Sequence, residues 1–89
     1  MLTLPAAVTH AKALETARVL KAQVTAQATS VVLDASALTQ FDSSALAVML
    51  ACRREALAAD KTFSVHGLPA RLSQLAGLYG VAELIPSAL

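Results

Sequence analysis

Three consecutive apolar residues, Val31-Val32-Leu33, stand between Ser30 and Asp34, and no other feature narrows the fold as much. Two of them are β-branched, and a strand that is apolar at successive rather than alternate positions suits a sheet centre covered on both faces. Such a strand takes parallel neighbours, which are reached through crossover helices. The flanking sequence supplies candidates for both.

Upstream, Leu2, Thr3 and Leu4 can form a short strand, and Pro5 and Thr9 carry helix-opening signals. From there to about Val24, residues Ala13, Leu14, Ala17, Leu20 and Val24 fall on one stripe, with Lys12, Glu15, Arg18 and Lys21 away from it. That is the pattern of an amphipathic helix. Downstream, Ala35 to Gln40 makes a connection whose Leu38, with Phe41 beyond it, should point inward. A second helix is expected from Ser43 to Ala59, opened by Asp42-Ser43-Ser44, whose oxygens suit the unpaired N–H groups of a first turn. Asp60-Lys61 turns the chain, and Thr62 to His66 alternates so that Phe63 and Val65 face the core. Gly67-Leu68-Pro69 leads into a third helix with Leu72, Leu75, Ala76 and Tyr79 at helical spacing, ended by Gly80. Val81 to Ile85 reads as a short edge strand before Pro86.

Strand and helix thus alternate three times, which predicts an α/β fold: a mostly parallel sheet of about four strands with three helices. The 89 residues form one domain, 1–89. Apolar residues make up 56% of the chain but aromatics only 3%, so the core is built from small and medium aliphatic side chains.

The charge balance excludes several function classes. A formal charge of +1, with Lys and Arg scattered, gives no footprint for a phosphate backbone, and two Phe, one Tyr and no Trp give no stacking platform. Nucleic acid is therefore not an expected partner. The longest apolar run, Ala45 to Cys52, is far shorter than the roughly 20 residues of a membrane helix, so direct membrane insertion is not expected. The start of the chain has no basic n-region of a secretory signal, and a lone cysteine, Cys52, fits a reducing cytoplasm.

The second helix carries the most information about function. Ala45 to Cys52 are apolar around the whole circumference, whereas a helix resting on a sheet needs only a stripe. A chain this short has little left with which to cover the outer side, which favours a protein partner there over merely tolerated alanines. Asp42, Ser43 and Ser44 lie where a helix start favours negative charge. A phosphoryl group on Ser43 would be held there, yet would set about two negative charges beside an apolar docking face. As plain caps, the serines would do nothing more. His10 and His66 lack partners at metal-ligand spacing, Cys52 reads as a small core residue with a raised pKa, and no nucleophile elbow or glycine-rich phosphate loop is present. No metal, cofactor or catalytic residue is expected. A small-ligand or enzymatic site near Asp42 would lack convergent polar groups.

Val31-Val32-Leu33-Asp34, then Phe41-Asp42-Ser43-Ser44-Ala45-Leu46, then Phe63-Ser64-Val65-His66-Gly67-Leu68 resemble the STAS domain family in order and spacing, over about Ser30 to Pro86. That family includes the bacterial anti-sigma factor antagonists and the MlaB subunits of phospholipid-transporting ABC complexes. The closing stretch, with Leu78-Tyr79 and Ile85-Pro86, looks more like the MlaB branch. The resemblance implies a non-enzymatic interaction subunit of a transporter that maintains outer-membrane lipid asymmetry. It would sit in the cytoplasm, peripheral to the inner membrane through its partner, the ATPase subunit that works with permease and substrate-binding subunits. The docking patch expected is Asp42, Ser43, Ser44, Leu46, Ala47, Leu50, Ala51 and Arg54. The alternative the resemblance offers is an anti-sigma factor antagonist regulated by a serine kinase acting on Ser43. Ala45 stands where the antagonists usually carry Gly, which makes the loop stiffer than theirs. Only Leu2 to Leu4 precedes the first helix in this reading, so a reduced sheet is expected, with an edge left open or paired with a partner.

Overall fold

A computed structural model describes residues 2–87. The central segment is the middle strand of a parallel three-stranded sheet: β3 (Ser30–Asp34) lies between β1 (Leu2–Thr3) and β5 (Thr62–His66). Register places Leu2, Leu33 and Val65 in one row and Val31 beside Phe63. All five are buried, so the row is a continuous apolar wall on one sheet face.

The other face departs from the sequence expectation. Val32 is only half-buried, next to Ser64 in register, and Thr3 and His66 are exposed. The apolar run of β3 predicts cover on both faces, but all three helices send their buried side chains into a single core on one side. The outer face carries Thr3, Ser30, Thr62 and Ser64 around Val32, side chains that tolerate water.

Three helices build the covering layer: α1 (His10–Val24), α2 (Ser44–Ala58) and α3 (Ala70–Leu78). α1 buries Leu20 and Val24, α2 buries Ala45, Leu46, Val48, Met49, Cys52 and Ala56, and α3 buries Leu72 and Ala76. Leu14, expected on the buried stripe, is 74% exposed. At about 100° per residue it lies well round from the line of Ala13, Ala17, Leu20 and Val24. Tyr79 is 57% exposed because α3 ends at Leu78 and the chain turns away at Gly80 (φ 73°).

Two strands of two residues each, β2 (Ala7–Val8) and β4 (Gln40–Phe41), form a separate parallel ladder, Ala7 beside Gln40 and Val8 beside Phe41. The opening segment therefore supplies β1 and β2, not the single strand expected. Thr39 and Gln40 both donate their backbone N–H to Ala6 O, at 2.8 and 2.9 Å. β2 runs directly into α1 and β4 into α2, so this ladder sets the starts of the two helices side by side.

Local chemistry fixes the turns. Asp60 takes φ 60°, a left-handed position that aspartate tolerates better than most residues. The Lys61 ammonium then donates to Val24 O, Thr25 O and Gln27 O at 2.8, 3.1 and 2.7 Å, satisfying carbonyls freed at the end of α1. Gly67 combines φ 69° with a backbone so close to Ser36 that an added Cβ would lie 2.8 Å from the Ser36 Cβ. The tail does not form the edge strand expected over Val81 to Ile85. Ala82–Leu84 is a 3-10 turn, and pairing with β5 comes later, where Val65 N–H donates to Pro86 O and Ser87 bridges Val65. Proline has no N–H to give a ladder, so the pairing rests on its carbonyl.

Candidate functional site

The ladder of β2 and β4 brings Asp42 to the point where α1 and α2 begin. One carboxylate oxygen, Oδ1, accepts Ser44 N–H at 2.8 Å, and the other, Oδ2, accepts His10 N–H at 3.0 Å. One residue thus caps two helices, its own in sequence and another 32 positions away. The His10 N–H, then the Ser44 N–H and hydroxyl, hold the Asp42 carboxyl below its ordinary pKa. Both oxygens are engaged with backbone donors, which gives this carboxylate an architectural role.

The serines do not cap as their residue types suggest. Ser43 is already helical (φ −61°, ψ −16°) and makes no side-chain capping bond. Its exposed hydroxyl is left at the helix start. Thr9 likewise makes no side-chain bond at the start of α1, because Asp42 supplies the acceptor.

From Ser43 the outer side of α2 runs through Ala47 and Arg54, which are exposed, with half-buried Leu50 and Ala51 between them. These residues recur at three- and four-residue spacing and therefore share a face. Leu46 does not belong to that face: it is 3% exposed and part of the core. Its place in the expected patch is corrected accordingly, since the helix turns it about 100° from Ala47.

The sequence reading missed the contribution of α1. Ala13, Leu14 and Ala17 face Ala47 and Val48 across a shallow groove of about 330 Å³, closed at its start by His10 and Ser44. The two helices run parallel, both starting at Asp42, and the Lys21 charge acts on Cys52 further along. A signal existed in the surplus leucine at position 14, but which helix lies beside α2 depends on the β2–β4 pairing. Cys52 is buried on that seam, and burial pushes its thiol up to about 11, as expected of a core cysteine.

Other polar residues stay apart. Asp34 accepts Ser36 N–H at 3.0 Å, and hydrogen bonds from the Ser36 side chain and backbone lower its pKa. Among the described residues no group of three or more His, Cys, Asp or Glu stands together as a metal site, and no helix is long and apolar enough to cross a membrane.

The geometry defines a small α/β domain whose distinctive feature is an outward, largely apolar pair of helix faces. Residues 1–86 match the family model described as "Mlab, STAS domain". The chain belongs to the STAS domain family, whose members are generally non-catalytic interaction domains. The match reaches the N-terminus, well before Ser30, in keeping with the presence of β1 and β2. No curated protein matches the chain.

Proposed function

We propose that the chain acts as one domain, the non-enzymatic STAS subunit of a phospholipid-transporting ABC complex that maintains outer-membrane lipid asymmetry. It docks on the cytoplasmic ATPase of that complex and supports its assembly and activity. Localisation at the inner membrane then comes through the partner. The description attached to the matching family supports this branch. The observation that carries a docking role is the outer side of α2, where Ser43, Ala47, Leu50, Ala51 and Arg54 line a face flanked by Asp42 and Ser44. Small side chains there let a partner approach closely, while Arg54 at the rim steers orientation more than it adds affinity.

Affinity capture from native membranes with the tagged chain, read by mass spectrometry, tests this. Recovery of an ABC ATPase with its permease is the expected result; recovery of a soluble serine kinase or anti-sigma factor would refute it.

The exposed Ser43 hydroxyl favours a second reading, an anti-sigma factor antagonist released by phosphorylation. Here Ser43→Asp would abolish partner binding while Ser43→Ala keeps it. Equal binding by the two variants rules out a charge switch.

A further inference from the structure

Leu14 projects 74% exposed from the wall of a groove floored by alanines, an arrangement that leaves apolar surface in water on both helices. The groove is small, at about 330 Å³, and open along its length. That shape suits side chains projected from a helix better than an enclosed small molecule. Two parallel helices also present a furrow of the kind into which a third helix sets its ridge.

The charges along the furrow are uneven. At its start lies Asp42. Further on come Arg18, one turn after Leu14, then Lys21 two turns after it, and Arg54 two turns after Ala47. Lys21 is close enough to the seam to act on Cys52, where the opposing acid is Glu55. Arg18, Lys21 and Arg54 are exposed, and among the described residues none of them forms an ion pair. These exposed cations, Arg18 about 6 Å and Lys21 and Arg54 about 10 Å along the helix axes from Leu14 and Ala47, outnumber the one acid among them, Glu55, and make a complementary surface for carboxylates.

We propose that the α1–α2 groove receives an acidic amphipathic helix of the partner, with one large apolar side chain seated against Leu14 and Ala47 and carboxylates meeting Arg18, Lys21 and Arg54. This rests on the docking role above and specifies the partner's chemistry. The apolar contact supplies the holding energy, and the cation end sets direction and speeds encounter.

The test uses the full chain, isotopically labelled, and two synthetic helical peptides on one Leu/Ala frame. One carries glutamates four and seven positions from a central leucine, the other lysines there. The acidic peptide is expected to shift the amides of Ala13, Leu14, Ala47 and Val48, and to bind at least about tenfold more tightly than its lysine counterpart in low salt. Reversing Arg18, Lys21 and Arg54 to Glu should invert that preference without unfolding the chain. Binding elsewhere, no binding, or equal affinity for both peptides would overturn the proposal. The purified ATPase separates the two readings. Equal ATPase affinity of the wild-type and charge-reversed chains defeats the acidic helix alone. A wild-type chain that ignores the ATPase but selects the acidic peptide defeats only the transporter assignment.

Discussion

Asp42 joins two helices through two oxygens, and its chemistry gives the sharpest residue-level expectations. Its folded pKa lies below the ordinary 3.8, so its contribution to stability is present above that value and is lost as pH falls through the folded pKa. Carboxyl chemical shifts followed through an acid titration should place its midpoint below 3.8; a midpoint at or above it contradicts the double cap. Asp42→Asn keeps one acceptor oxygen and should retain one cap, so it should melt between wild type and Asp42→Ala. Lys61 works at the opposite end of α1, where its ammonium meets three carbonyls. Lys61→Met should cost about 1.5–3 kcal/mol in denaturant unfolding, the range for hydrogen bonds to a charged group. A loss below a few tenths would show the ammonium to be solvated instead. Gly67→Ala meets both a left-handed φ and the Ser36 contact and should cost about 1–3 kcal/mol or more.

At the scale of elements, β3, β5, α2 and the third helix were legible in the sequence because each has a period or a punctuating residue. Thr62 to His66 alternates and folds as read, and Gly80 stops α3 as read. The two-residue strands β2 and β4 were not legible, since two residues show no period and their pairing spans more than thirty positions. Without that ladder nothing in the sequence sets α1 beside α2, so the groove is not legible there, although Ala47, Ala51 and Ser43 stand out on α2. Leu46 and Leu14 exchanged places for a related reason. Around the stretch Ala45 to Cys52, apolar on every side, composition does not say which side meets the sheet, and on α1 the alanine positions rather than Leu14 turn inward. Within the core, Leu33 is fully buried between Leu2 and Val65, and Leu33→Ala should cost about 2–5 kcal/mol. Leu14→Ala should leave stability within about 0.5 kcal/mol of wild type, as for an exposed position. Unfolding of the two variants compared in one denaturant series checks both.

For the molecule as a whole, the architecture separates support from surface. One core holds the sheet and three helices together, and the parallel seam of α1 and α2 faces outward with its apolar groove and exposed cations. Changes at the exposed positions of that seam, Leu14 and Ala47 among them, should therefore alter binding of the proposed partner at constant stability, while changes in the core do the reverse. The most direct test is calorimetric titration of the chain with the purified ABC ATPase, wild type against Ala47→Arg. Ala47 is exposed, so the variant should fold with an unchanged Tm and bind at least about tenfold more weakly, a loss of about 1.4 kcal/mol. Equal affinity of the two would mean that the partner docks elsewhere and that the outer face of α2 is ordinary surface.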